Sequence, residues 1–184
     1  MSDRVVEDYR GYQLVAAAKG ASFVGKAWKD GTCILNADGN SLSEVLVLLK
    51  ISVTKVLEHR AESEPPPDVA QCTDALRAIL PSLSDRQLAM LKAHYRAKDR
   101  CLTATDLAKA AGYANYSAVN LQYGNVGRLM WEAVPRKLPV GADGEPIYTF
   151  ALAEAGDRDS PEHEWVWRMR PEVAAAIKEL GLDV

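Results

Sequence analysis

The spacing of apolar residues predicts a small β-sheet at the beginning of the chain. Three short runs, YQLVAAA, ASFVGKAWK and TCILNA, combine β-branched and aromatic residues with polar ones, which is typical of strands. Lys19-Gly20 and Asp30-Gly31 separate the runs, and Asp30-Gly31 is a strong signal for a two-residue hairpin turn. Two successive hairpins indicate a three-stranded antiparallel meander.

A helical period replaces the strand pattern after residue 40. Ser41 and Glu44 have the spacing of a capping box, in which each side chain bonds a backbone N–H at the start of a helix. The apolar residues on one stripe of this helix are Leu42, Val45, Leu46, Leu49, Val53, Val56 and Leu57. We expect the helix to cover one face of the meander, so that residues 1–62 form a β-β-β-α domain.

A proline-rich segment follows this first domain. The run AESEPPPDVA concentrates acidic residues around three consecutive prolines, which favour a stiff extended spacer. We place a linker at residues 63–68 and a second domain at residues 69–184. In its order of elements the first domain resembles the small domains of HicB-type antitoxins, and this resemblance implies a compact binding module.

The second domain repeats one helix-start signal three times. Ser84, Thr103 and Ser117 are candidate N-cap residues in the runs LSDRQL, LTATDL and YSAVNL, and apolar residues flank each of these starts. Pro81 ends an earlier helix. The sequence therefore predicts helices over residues 69–80, 84–98, 103–111 and 117–134.

The last two of these helices have the spacing of a helix-turn-helix. Ala108 is a small residue where the helices would cross, Gly112 tolerates a positive φ in the turn, and Leu107 and Val119 are apolar anchors on the inner side. Spacing alone fits an αα-hairpin without a role in DNA binding equally well.

The remainder of the domain favours the winged form of this motif. Two β-rich segments, at residues 146–153 and 164–170, indicate a hairpin with a long tip. Pro171 stands at the first position of a closing amphipathic helix. We therefore expect an α+β chain, with a small meander and helix followed by a mainly helical, winged helix-turn-helix-like domain.

The charge of the chain is uneven. The whole chain has a net charge of -3 and a sequence pI near 5.7. Residues 82–137 contain nine basic residues against four acidic ones, which leaves 13 basic and 21 acidic residues elsewhere. A basic segment in an acidic chain is expected of a surface that faces phosphates, although such a face is more often merely solvated.

The polar residues at the front of the predicted helix 117–134 suggest DNA readout. Ser117, Asn120, Gln122 and Tyr123 fall in its first two turns, the part that enters the major groove in this motif. Asn and Gln pair with adenine edges, whereas Ser and Tyr bond phosphate oxygens. The cations predicted to position the DNA backbone are Arg100, Lys109 and Arg128.

A structural interpretation of the same residues stays open. Tyr113, Tyr116 and Tyr123 would then bury their rings with a hydrogen-bonded hydroxyl, and Asn115 would cap the helix.

One block of this domain resembles a known module. Its residues are Asp106-Leu107-Ala108, Gly112-Tyr113, Asn115-Tyr116, Ala118-Val119-Asn120 and Gln122-Tyr123-Gly124. The block is similar to a helical module that accompanies HNH-type endonucleases and related restriction or phage-borne proteins, and the similarity extends over most of residues 82–184. It implies a module associated with nucleic acid. It does not imply cleavage, because no Cys or His cluster and no His-Asn pairing follows the block.

No pattern in the sequence predicts catalysis, a cofactor or a metal site. His59, His94 and His163 lack metal-ligand spacing with each other or with cysteine. Glu162-His163-Glu164 could bind a cation, but chance easily supplies such a triplet in a charged loop. Without a Gly-rich phosphate loop or a nucleophile elbow, we expect a protein that is not an enzyme.

Cysteine usage and hydropathy indicate the compartment. Cys33, Cys72 and Cys101 are scattered and lack CxxC spacing, which fits a reducing environment. The longest apolar stretch, residues 42–53, is interrupted by two charged residues, so we expect neither a signal peptide nor a membrane span. The sequence predicts a cytoplasmic protein without a membrane partner.

A protein partner is the alternative to DNA. The acidic residues of the predicted wing are Glu154, Asp157, Asp159, Glu162 and Glu164, and they would repel the phosphates that a wing approaches. Trp165 and Trp167 suit a protein interface. The chain would then be a phage-encoded inhibitor that binds a protein of a CRISPR or restriction complex. A homodimer also stays open, since helix-turn-helix proteins are often dimeric.

Overall fold

The computed structural model describes residues 4–156 and 164–182 of the chain. The chain divides into two compact units, Met1–Glu64 and Pro65–Val184, which we call unit 1 and unit 2. The structure is mixed α and β, with a four-stranded antiparallel sheet followed by helices, which confirms the α+β class.

Unit 1 is a sheet covered by one long helix. Its strands are β1 (Arg4–Tyr9), β2 (Tyr12–Lys19), β3 (Ser22–Lys29) and β4 (Thr32–Gly39), and its helix is α1 (Leu42–Ser63). The strands pair antiparallel in the order β1-β2-β3-β4. The sheet therefore has four strands where the sequence predicted three.

The additional strand lacks the pattern on which strand prediction depends. In β1 the adjacent residues Val5 and Val6 are both exposed, and charged residues stand on either side of them, so no buried face alternates with a polar one. The hairpin to β2 turns at Arg10 and Gly11, which both have positive φ, as a tight two-residue turn requires.

The core of unit 1 is formed by α1 against the sheet. Val45, Leu49, Val53 and Leu57 repeat at intervals of four residues and are fully buried. Gly25 permits the close approach of the helix, because a Cβ at this position would lie 2.3 Å from Cγ1 of Val45. The predicted Ser41 cap is present, since its side chain accepts a hydrogen bond from the backbone N–H of Glu44.

The described residues of unit 2 form five α-helices and a small sheet. The helices are α2 (Val69–Ile79), α3 (Asp85–Arg96), α4 (Ala104–Ala111), α5 (Tyr116–Ala133) and α6 (Pro171–Glu179). The strands are β5 (Cys101–Thr103), β6 (Ala153–Ala155) and β7 (Val166–Met169), and they pair antiparallel in the order β5-β7-β6. Strand β5 was missed because three residues are too few to show a period.

The strand predicted at residues 146–153 is mostly a turn. A 3-10 turn occupies Tyr148–Ala151, and β6 begins only at Ala153. The turn packs its backbone on α5 at Gly127, where a Cβ would lie 2.1 Å from the carbonyl oxygen of Tyr148. This close contact with a helix replaces the strand pairing that the β-rich composition suggested.

The start of α5 also differs from the prediction. Asn115, and not Ser117, is the N-cap residue, because its side chain accepts a hydrogen bond from the backbone N–H of Ala118. Among the described residues, none of the helices combines the length and the apolar character that crossing a bilayer would require.

Candidate nucleic-acid interface

Helices α4 and α5 are joined by a tight turn. Gly112 ends α4 in the left-handed conformation with φ of 69°, and its N–H bonds the last carbonyls of that helix. Leu107 and Ala111 on α4 and Val119 on α5 are buried. Their burial fixes the inner sides of both helices and leaves the opposite side of α5 exposed.

Three of the predicted DNA contacts are exposed. Ser117 and Asn120 are three residues apart on α5 and both are exposed. The side chain of Lys109 on α4 is 74% exposed, and its Nζ lies 3.6 Å from Oδ1 of Asp106. Such an exposed ion pair is weak, so Lys109 can exchange its partner for a phosphate at little cost.

Gln122 lies on a different side of the helix. Its Oε1 accepts a hydrogen bond of 3.1 Å from Nε2 of Gln87 on α3, and the residue is half-buried. Reading a base with this amide would require breaking that bond. The prediction that Gln122 contacts DNA therefore finds no support in the geometry.

The prediction that Tyr123 contacts nucleic acid is wrong, because its side chain is fully buried. Its hydroxyl lies 2.6 Å from Nδ1 of His94, and its ring stacks on Trp167 with centroids 5.9 Å apart. The sequence signal for burial was present: Tyr123 stands four residues after Val119 and three before Val126, within one apolar stripe.

The buried contacts of His94 define its tautomer. Nε2 lies 2.9 Å from the carbonyl oxygen of Trp167, which can only accept, so Nε2 carries the proton and donates. Nδ1 then accepts a hydrogen bond from the hydroxyl of Tyr123. Burial lowers the pKa of His94 and raises the pKa of Tyr123, so both groups are neutral and bind α3, α5 and β7 together.

The two predicted backbone cations Arg128 and Arg100 have internal partners. Nη1 of Arg128 lies 2.6 Å from Oε1 of Glu132, a carboxylate that is buried and needs this charge. The guanidinium of Arg100 lies 5.3 Å from the ring centroid of Tyr95. Neither cation is a simple exposed charge beside the front of α5.

Sequence reasoning missed a cation at the turn between α4 and α5. The guanidinium of Arg86, an exposed residue of α3, lies 5.0 Å from the ring centroid of Tyr113. Nothing in the local sequence joins these residues, because they are 27 positions apart in the chain. The fold alone brings Arg86 to the turn.

A cavity of about 620 Å³ opens beside the front of α5 and was also missed. Tyr116 and Asn120 of α5 line one part of it, and Phe150, Trp165 and Trp167 line others. Trp165, which precedes β7, is 40% exposed, whereas Trp167 within β7 is buried.

The acidic residues of the predicted wing are only partly accounted for. Asp157, Asp159, Glu162 and His163 lie outside the described residues, and so does most of the Glu162-His163-Glu164 triplet. Glu164 accepts a hydrogen bond of 2.9 Å from the backbone N–H of Thr105 at the start of α4. Within residues 4–156 and 164–182, no group of three His, Cys, Asp or Glu residues has the arrangement of a metal site.

Comparison of this chain with models of protein families, with curated proteins and with solved structures gives no match.

Proposed function

We propose that unit 2 is a winged helix-turn-helix-like module that binds duplex DNA without catalysing a reaction. The observation that carries the proposal is the exposure of Ser117 and Asn120 on one side of the first turns of α5, directly after the Gly112 turn. In a helix-turn-helix this part of the second helix enters the major groove.

The order of elements in unit 2 supports the winged form. Helices α3, α4 and α5 follow one another, with β5 between the first two, and β6 and β7 come after α5. Because β7 pairs with both β5 and β6, the ribbon is attached to the strand that precedes α4. This pairing holds the ribbon next to the helix pair.

The exposed side chains have chemistry suited to a groove. The Nδ2 group of Asn120 can donate to N7 of adenine while its Oδ1 accepts from the N6 amino group, and Ser117 can bond a phosphate oxygen. Lys109 on α4 and Arg86, whose guanidinium lies beside the ring of Tyr113 in the turn, are exposed cations that can bond phosphates. We expect these two cations to contribute a slope of about -2 when log affinity is plotted against log salt concentration.

Fluorescence anisotropy with a labelled random duplex tests the proposal. Affinity should fall as salt rises from about 50 to 200 mM, and Lys109→Ala should make that fall less steep. Asn120→Ala should weaken binding to a duplex selected from a random pool for tight binding by roughly fivefold to a hundredfold. The matched control is Lys178→Ala, which removes an exposed lysine from α6. Absence of binding at low salt, or equal losses for Lys109→Ala and Lys178→Ala, would contradict the proposal.

A second candidate function is inhibition of a CRISPR or restriction complex by direct protein binding. It is favoured by apolar side chains on the same surface, since Tyr116 is 56% and Leu121 64% exposed. Exposed aromatic and aliphatic groups of this kind anchor protein interfaces. A purified CRISPR or restriction complex should then lose its DNA cleavage activity when the chain is added. The Leu121→Ala variant should inhibit less while its duplex affinity is unchanged.

A further inference from the structure

We infer that the cavity beside the front of α5 binds a planar, uncharged aromatic heterocycle of the nucleobase class. The base can come from a free nucleoside or from an unpaired position of a nucleic acid. A free nucleoside would satisfy the inference without any duplex binding, so the inference goes beyond the proposed function.

The size of the cavity and the elements that form it suit a small ligand. Its volume of about 620 Å³ lies in the range of about 300 to 1,000 Å³ that is usual for small-molecule sites. The walls come from the starts of α4 and α5, the segment that contains Phe150, and the residues at the start of β7. A site formed by four segments encloses a ligand from several sides.

Aromatic side chains form much of the cavity wall. The aromatic lining residues are Tyr116, Phe150, Trp165 and Trp167. Trp167 is held in place because its ring stacks on the buried Tyr123 and its carbonyl oxygen accepts a hydrogen bond from Nε2 of His94. A planar heterocycle gains affinity by stacking on such rings, and this stacking is available to every base.

Two polar side chains can bond the edge of the heterocycle. The exposed amide of Asn120 offers both a donor and an acceptor, which matches the mixed edge of a base. Oε1 of Glu164 accepts the N–H of Thr105, while its second oxygen accepts no hydrogen bond from the described residues. That oxygen can accept a bond from an exocyclic amino group.

The charge of the cavity excludes phosphate from it. None of the described residues that line the cavity is basic, and Glu164 is acidic. A phosphate inside would meet a like charge without a counter-ion. The occupant is therefore the neutral base itself, with any sugar or phosphate held outside the cavity.

Isothermal titration calorimetry of the full chain tests the inference with defined probes. Adenosine, guanosine, cytidine and thymidine are titrated singly, each beside its 5′-monophosphate. A second series compares a matched duplex with a duplex that carries one unpaired base. We expect saturable binding of at least one nucleoside, or tighter binding of the duplex with the unpaired base, and a weaker affinity for the monophosphate.

Variants locate the binding in the cavity. Trp165→Ala should raise Kd about tenfold, because it removes a stacking surface. Its matched control is Trp28→Ala, which removes a tryptophan from unit 1 and should leave Kd unchanged. Glu164→Gln keeps an acceptor for the N–H of Thr105 but removes the charge, so it should bring the monophosphate close to the nucleoside in affinity. Circular dichroism of each variant checks that it is folded.

The outcomes separate the inference from the proposed function. Saturable nucleoside binding without duplex binding supports the cavity site and contradicts the DNA proposal. Duplex binding with no response to any nucleoside and no preference for the unpaired base supports the DNA proposal and overturns the cavity site. Tighter binding of indole than of every nucleoside also overturns it, because the polar edge would then contribute nothing.

Discussion

Unit 1 and unit 2 differ in what they bury. The buried residues of unit 1 are Tyr12 and aliphatic side chains, with α1 packed on its sheet. All the buried polar or charged residues in the described part of the chain belong to unit 2: Thr73, His94, Glu132, Arg136 and Thr149. Several of them form hydrogen bonds between secondary-structure elements. Thr73 of α2, for example, donates a hydrogen bond to Glu179 of α6.

This difference determines which interactions fix the structure of each unit. Apolar packing in unit 1 depends on shape, and side chains can shift to accommodate a change. The polar pairs of unit 2 depend on direction, because a buried group that loses its partner is left unsatisfied. The front of α5 is held by such pairs through Tyr123, so its geometry is fixed more strictly than apolar packing would achieve.

The largest contrast is expected at two glycines where elements approach closely. At Gly127 of α5 a Cβ would meet the backbone of Tyr148, which cannot rotate away. At Gly25 of β3 the two nearest atoms belong to the side chains of Val45 and Leu49, which can shift more readily than backbone, and the carbonyl oxygen of Val15 follows at 3.3 Å. Gly127→Ala should therefore lower the free energy of unfolding of unit 2 by about 3 kcal/mol, and Gly25→Ala should lower that of unit 1 by about 1 kcal/mol.

Urea unfolding followed by amide NMR signals reports the two units separately. Gly124→Ala is the matched control in the same helix, because a Cβ there would have only an ordinary contact at 3.9 Å with Oγ1 of Thr149. This control should stabilise unit 2 by up to about 1 kcal/mol, since alanine is the better helix former. An equal loss for Gly25→Ala and Gly127→Ala would remove the distinction between the units.

The parts of the fold with a sustained period could be predicted from the sequence. Strands β2, β3 and β4 alternate and turn at Gly20 and Gly31, and the helices carry capping residues at most of their starts. Strand β1 was missed because its exposed valines do not alternate, and β5 because pairing with a distant strand creates it. Long-range pairing leaves no local signal in a three-residue segment.

The candidate site was less predictable for a physical reason. A tyrosine has an apolar ring and a polar hydroxyl, so composition alone does not decide between a surface contact and a buried bond. Only the partner settles the matter, and His94 is 29 residues away from Tyr123. The cavity beside α5 was missed for the same reason, since four separate segments of the chain form it.

A smaller contrast is expected between two tyrosine hydroxyls. In unit 2, Tyr123→Phe leaves Nδ1 of the buried His94 without a donor, so unit 2 should lose about 1 to 3 kcal/mol of stability. In unit 1, the hydroxyl of Tyr9 lies 3.3 Å from Oγ1 of Thr54 at a half-buried position. Tyr9→Phe should cost less than about 1 kcal/mol, because water can satisfy the threonine. Urea unfolding measures both; similar losses would mean that the buried network adds nothing specific.

The smallest contrast concerns the loss of stability at acidic pH, and it tests the contribution of His94 to unit 2. Burial lowers the pKa of His94 in the folded state, whereas the unfolded chain has the ordinary value of about 6.5. As pH falls from about 6.5 toward the lower folded value, the unfolded state binds a proton that the folded state does not. The contribution of neutral His94 to the stability of unit 2 is therefore fully present above that window. The free energy of unfolding should decrease within the window by up to about 1.4 kcal/mol per pH unit.

His94→Gln provides the control, because its amide does not titrate. This variant should be less stable at neutral pH, since it disturbs the bonds to Tyr123 and Trp167, but its stability should change less between pH 6.5 and the lower folded pKa. Thermal unfolding at a series of pH values from about 7.5 to 5 measures the difference in slope. If both proteins lose stability in parallel, a group other than His94 causes the acid sensitivity of unit 2. A steeper loss in the chain with His94 means that the neutral imidazole is part of what holds α5 in place.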